Sequence, residues 1–253
     1  MKCEKQIPGT NHVLAGRQNI MKRRETGLAT VEKSSGLDIE LIDTVISVYH
    51  DPGKGLLTPH MGSPVDVLVK TILSQATSDI QSEKAFNNLK RLFPSWEEVA
   101  QADPRDVQSA ISPAGLAAEK ARNIQAALQK IRNDMRKISL EKLAGMDPPE
   151  AMAYLRTLPG VGPKTAACTL LFGFGMPVFP VDTHILRIAG RLGIIPPGTP
   201  AERAQTAMND MVPPDKMLAF HLGLIEHGRK VCTKRKPKCE RCAILRWCAQ
   251  REV

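Results

Sequence analysis

The segment Leu158-Pro159-Gly160-Val161-Gly162-Pro163-Lys164-Thr165-Ala166 constrains this chain more than any other. Two glycines two apart, a proline, and then Ala167, Leu170, Leu171 and Phe174 at helical spacing describe a tight turn that opens directly into a helix. Pro163 suits the first helical position, where a missing N–H leaves nothing unpaired. Upstream, Asp147-Pro148-Pro149-Glu150 places a cap and an acid three residues on, the start signal of a helix that carries Leu155 and Leu158. The unit is helix, glycine turn, helix. With no side chains at Gly160 and Gly162, another backbone can come close, and the unpaired N–H groups of the second helix's first turn, which includes Thr165, suit a phosphate. Alone, the same glycines also describe a plain hairpin. Lys164 shares that first turn, where the positive end of the helix dipole disfavours an ammonium and eases loss of its proton.

The rest of the chain repeats the helical period. Asp38 precedes Leu41, Val45 and Val48, with Asp51-Pro52-Gly53-Lys54-Gly55 as a stop. Ser63-Pro64-Val65-Asp66 opens a helix with Val65, Leu68, Val69, Ile72 and Leu73 on one face, broken by Ser74-Gln75-Ala76-Thr77-Ser78-Asp79. Ala85, Leu89, Leu92 and Phe93 mark the next, and Ser95, Asp103 and Thr199 each begin another. Ala121, Ile124, Leu128 and Ile131 mark one more, and Leu218, Leu222 and Ile225 the last, closed by Gly228. No segment has a period of two, so the chain reads as all-α. Residues 1 to 36 are polar, with Lys22-Arg23-Arg24 and no sustained period, and read as a mobile basic tail.

Val181-Asp182-Thr183-His184 places Asp182 where a cap belongs, before a helix with Ile185, Ile188 and Leu192 inward and Gly193 at its end. Capping accounts for this aspartate by itself. Cys232, Cys239, Cys242 and Cys248 follow the spacing C-x6-C-x2-C-x5-C, and such crowding points to a metal rather than a core. Structural zinc takes four thiolates too, but it favours two short pairs around a long spacer, and only one pair here is short; an iron-sulfur cluster suits the loop better. Cys3 and Cys168 read as a tail thiol and a helix-buried residue. His184, His221 and His227 receive no chemistry. The net charge of +9 calls for an anionic partner, nucleic acid first. No apolar run reaches membrane-span length and no apolar signal core opens the chain, which favours an intracellular setting.

Taken together, residues Leu158 to Ala166, Val181-Asp182-Thr183-His184 and the four-cysteine loop resemble endonuclease III of the helix-hairpin-helix DNA glycosylase superfamily, over about residues 38 to 250. The resemblance implies an all-α, two-lobed helix-hairpin-helix DNA glycosylase fold with a C-terminal iron-sulfur cluster loop. One lobe is a helical barrel over 63–180, and the other joins 37–62 to 181–253 and carries a 4Fe-4S cluster on Cys232, Cys239, Cys242 and Cys248. It further implies a monomer acting on double-stranded DNA that contains a damaged base or an abasic site. Lys164 and Asp182 would be catalytic, and Gln75, Gly160, Gly162 and Thr165 would bind DNA. The implied reaction is bifunctional: excision of damaged, oxidised pyrimidines through a lysine Schiff base, then strand nicking by β-elimination. Endonuclease III commonly has Gln two residues after the serine of the Leu-Ser segment, to fill the gap left by a flipped base. Here that position is Ala76, and Gln75 precedes it. A glycosylase for mismatched thymine or uracil or for methylated bases, and a non-catalytic iron-sulfur DNA-binding protein, are the alternatives.

Overall fold

Helix starts in this chain are written locally, and the computed structural model, which describes residues 36–49 and 62–250, follows them closely. The tail expected over residues 1 to 36, save its last residue, and the stop expected at 51–55 lie outside the described residues. Eleven α-helices are present among the described residues: α1 (Ile39–Tyr49), α2 (Pro64–Leu73), α3 (Asp79–Leu92), α4 (Trp96–Gln101), α5 (Pro104–Ala110), α6 (Ala117–Met135), α7 (Pro148–Arg156), α8 (Pro163–Phe174), α9 (Thr183–Leu192), α10 (Ala201–Met211) and α11 (Met217–Lys230). There is no strand among these residues. Ser63 and Asp66 form the reciprocal capping box of α2, the hydroxyl accepting Asp66 N–H while the carboxylate accepts Ser63 N–H. Asp147 and Asp182 cap α7 and α9 through Glu150 N–H and Ile185 N–H, each at 2.8 Å. Thr199 does not cap α10; its hydroxyl donates to Pro196 O instead.

Two hydrophobic clusters hold the helices. The first is built from α2 to α8, with Leu68, Ile72, Leu89, Ile124, Leu128 and Leu155 fully buried. The second joins α1 to α9, α10 and α11 through Ile42, Ile185, Met208 and Phe220. Each such side chain contributes about 2 kcal/mol of transfer free energy, set against the entropy of ordering it. Helix α8 feeds both clusters, giving Ala166, Ala167 and Leu170 to the first and Leu171 to the second. That explains why it is apolar on nearly every side.

Some inward faces differ from the periodic reading. Val48 and Leu92 are half exposed, because Ile42 and Phe86 take the inward places on α1 and α3. On α11 the buried row is Met217, Phe220, His221, Leu224 and His227, one step round from Leu218, Leu222 and Ile225. Gly228 does not close α11, which continues to Lys230. It is buried there under His184, which lies so close that a β-carbon would come within 2.9 Å of it.

Candidate active site and cysteine centre

Gly160 takes φ +75°, which glycine alone adopts without strain, and a β-carbon there would lie 2.7 Å from Asn123 of α6. Gly162 differs: its backbone is extended, it is exposed, and nothing lies within 4 Å of where a β-carbon would stand. One glycine therefore shapes the hairpin and the other leaves its outer side open. Pro163 begins α8, Lys164 follows half-buried at the second helical position, and Thr165 is buried at the third. The Thr165 hydroxyl faces inward to Gln75, so its part in the expected phosphate site would fall to its backbone N–H in the first turn of α8.

Gln75 also turns inward. Its amide donates to Gly160 O at 3.0 Å and meets Thr165 Oγ1 at 3.2 Å. Because Pro64 at the start of α2 packs on Gly173 near the end of α8, the two helices run antiparallel, and the turn after α2 lies beside the hairpin. The exposed tip of that turn is Ala76, with φ +52°. A gap-filling Gln75 would first have to break both of its hydrogen bonds.

Asp182 reaches the same neighbourhood from the apolar segment before α9. Phe179 N–H donates to Asn209 Oδ1 at 2.5 Å, and His221 Nδ1 donates to Pro180 O at 2.9 Å, fixing the backbone two residues ahead of the aspartate. Asp182 Oδ1 accepts the capping bond, which leaves Oδ2 for another partner. His221 is buried against the edges of Phe172 and Phe179. Burial lowers its pKa to about 4, with the Asp182 charge opposing and the Lys164 charge reinforcing the shift. The Cys168 thiol, one turn into α8 from Lys164, is pushed up by burial, pulled down by Lys164 and raised by Asp182. Lys164 and Asp182 thus act on the same two buried groups, so an amine and a carboxylate from separate helix N-termini share one small region. No local pattern in the chain marks Cys168 or His221 as neighbours of this pair.

The four cysteines are free thiols lining one cavity of about 180 Å³, together with Arg191, Arg235 and Lys238. No three of them converge closely enough, among the described residues, to hold a single ion. They surround a volume rather than a point. Burial first, and then the charges of Cys232, Cys248 and Cys239, push the Cys242 thiol up, while a backbone bond to Ile244 lowers it. Hydrogen-bond donors surround the sulfurs: Arg191 Nη1 lies 3.1 Å from Cys232 Sγ, and His227 Nε2 lies 3.8 Å from Cys242 Sγ. Tyr49 Oη meets the other nitrogen of His227 at 2.8 Å. The loop's end is tied back by Trp247 Nε1 donating to Asp38 and by Ala249 N–H donating to Arg191 O. Lys234, Arg235, Lys236, Lys238 and Arg241 are all exposed around it.

Comparison with known proteins places the chain in a family. A family model, the HhH-GPD superfamily base excision DNA repair protein, matches residues 69–214. A protein of Arabidopsis thaliana named as a DNA glycosylase is 36% identical over 174 residues, 69% of this chain; the chain spans 59% of that longer protein. Endonuclease III of Thermotoga maritima is 35% identical over 185 residues, 73% of this chain and 82% of the relative. Among solved structures, a non-covalent endonuclease III–DNA complex superposes with a TM-score of 0.70 at 25% identity, covering 83% of this chain and 92% of the other. No helix among the described residues is long and apolar enough to cross a membrane.

Proposed function

The chain belongs to the HhH-GPD superfamily of base excision DNA repair proteins, as a DNA glycosylase with abasic-site lyase activity, and from that premise we propose that it excises oxidised pyrimidines through Lys164. The observation that carries this reading is Lys164 in the first turn after the glycine hairpin together with Asp182, whose cap at the start of α9 uses Oδ1 and leaves Oδ2 free. A base inside the duplex hides C1′ of its sugar, so the nucleotide is extruded first. The Lys164 amine gives up its proton and attacks C1′, and the N-glycosidic bond breaks with its electron pair leaving on the base. Loss of a proton from nitrogen and opening of the sugar ring give an iminium, the Schiff base. Removal of a proton from C2′ pushes electrons through that iminium and expels the 3′ phosphate, which nicks the strand. Asp182, through Oδ2, stabilises positive charge at C1′ and assists the proton transfers.

DNA is the partner, and the enzyme acts as a monomer on duplexes with a damaged base or an abasic site, in the compartment that holds the DNA. We read the two hydrophobic clusters as two lobes, 63–180 and 37–62 with 181–253, with the duplex between them. The open side of Gly162 and the first-turn N–H groups of α8 take a backbone phosphate. Leu116, 62% exposed with φ +49°, is a large apolar side chain at a turn, a shape suited to wedging between base steps. Cys232, Cys239, Cys242 and Cys248 would hold a 4Fe-4S cluster: all four line one cavity, and their spacing has a single short pair where structural zinc favours two. The bound cluster supplies a cross-link that shapes the basic loop for phosphate contacts.

A panel of duplexes containing thymine glycol, mismatched thymine, uracil or 5-methylcytosine tests the substrate. Nicking and borohydride trapping on thymine glycol, both lost in Lys164→Ala, are expected. Turnover confined to a mismatched or methylated base would replace oxidised pyrimidines as the substrate. Unchanged trapping by Lys164→Ala would refute the mechanism.

A further inference from the structure

Lys120 lies on α6 and is buried, with 3% of its surface exposed. Its ammonium donates to Leu73 O at 2.8 Å and to Ala114 O at 2.9 Å. Burying an ammonium costs several kcal/mol unless hydrogen bonds offset it, and an apolar side chain there would extend the row of Ile124 and Leu128. The charge therefore has a use that an apolar residue lacks. Leu73 is the last residue of α2, and three residues on stands Ala76. Ala114 precedes Gly115 and Leu116, and both take left-handed backbone. Ala76 and Leu116 are both exposed, and each holds a conformation costing a non-glycine residue about 1 kcal/mol. One buried ammonium thus fastens the roots of two exposed, strained tips. Asn123, one turn further along α6, packs against Gly160, so the same face of this helix also underlies the hairpin.

We propose that Lys120 is a positioning residue: its ammonium fixes the separation of the tips at Ala76 and Leu116, where the protein enters the base stack, and so governs base extrusion without touching the reacting sugar. The proposal rests on the DNA-facing reading above. Two rigid tips must reach the duplex together. If their spacing drifts by about 1 Å, the extruded geometry is lost, and such misplacement costs up to about 100-fold in rate.

Lys120→Met keeps the length and apolar stem and removes the donors. It is expected to slow excision of a damaged base from duplex DNA by roughly tenfold or more, while borohydride trapping at an abasic site in a single strand, where no stack is entered, stays within about twofold. In a Leu116→Gly background the same substitution is expected to have little further effect on duplex excision, because the tip through which it acts is gone. Independent multiplicative losses in that cycle, or an equal loss on single-stranded abasic DNA, overturn the proposal. If Lys120→Met does not fold, Lys120→Gln, whose shorter stem draws its N–H donors back from Leu73 O and Ala114 O by about one bond length, carries the same cycle with the same expected losses. A reading without chemistry comes from 2-aminopurine placed opposite a stable abasic analogue. Wild type is expected to raise its fluorescence by unstacking it, and the variant to raise it far less; equal rises refute the clamp. Wild type that unstacks the probe yet never traps natural abasic DNA would refute the lyase mechanism and leave the clamp standing.

Discussion

The side-chain amide of Gln75 holds the carbonyl of Gly160 at 3.0 Å, so the end of α2 and the hairpin before α8 form one unit. The consequence is that the two glycines of this turn have separable jobs. Gly160 is enclosed by Gln75 and Asn123, and Gly162 is open.

Substitution should separate them. Gly160→Ala puts a β-carbon into Asn123 on backbone with φ +75°, and a loss of about 1–3 kcal/mol in urea unfolding is expected, with a shifted hairpin and slower Schiff-base formation. Gly162→Ala meets no atom within 4 Å and keeps an ordinary backbone, so its stability should stay within about 0.5 kcal/mol of wild type. Its duplex affinity should nevertheless fall, measured by fluorescence anisotropy. The reverse pattern would place the DNA elsewhere.

Asp182 combines a cap with a charge, and the two can be pulled apart. Asn caps a helix about as well as Asp, so Asp182→Asn should leave stability within about 0.5 kcal/mol. Its base-release rate should drop by roughly 100- to 1,000-fold through loss of the carboxylate. Asp182→Ala should lose about 1 kcal/mol of stability as well. Single-turnover kinetics beside thermal melts would show whether fold and chemistry divide in this way.

The parts of this site that were legible in the sequence are those set by near neighbours. Caps such as Asp147 and Asp182 act on N–H groups three residues away, and the glycine turn and cysteine spacing are equally local. His221 and Gln75 make their contacts with residues 41 and 85 positions away, and no local pattern shows those contacts, although Gln75 stood out by its place after Ser74. Lys120 did leave a trace: it stands four before Ile124 and eight before Leu128, a charge in line with an apolar row, and that is the mark of a buried lysine with partners. Leu116 was hidden because Pro113 and Gly115 mark a turn without showing that the residue after them is left-handed and exposed.

Metal content tests the cysteine centre. The purified chain should contain roughly four irons and four sulfides and absorb broadly in the visible. Cys242→Ser should lose iron and loosen the loop to proteolysis, while one zinc per colourless chain would replace the cluster. Tyr49→Phe removes the partner of His227, two bonds away from Cys242 Sγ, and should speed iron loss to a chelator without abolishing assembly.

Acid should weaken the fold through its buried histidines. His221 titrates near 4 in the folded chain against 6.5 when unfolded, so the unfolded chain binds the extra proton between those values. The stability due to keeping His221 neutral is complete above about pH 6.5. It falls by up to about 1.4 kcal/mol per pH unit as the pH drops toward 4, and is flat below. His227, also lowered to about 4 by burial, doubles the slope. Asn at position 221 can still offer an N–H to Pro180 O but has no proton to gain. Urea unfolding of His221→Asn should therefore show a lower overall stability, from lost packing on Phe172 and Phe179, with about half the wild-type pH slope. An unchanged slope would mean that His221 is already protonated in the folded enzyme, and the hydrogen bond to Pro180 would then be a charged one.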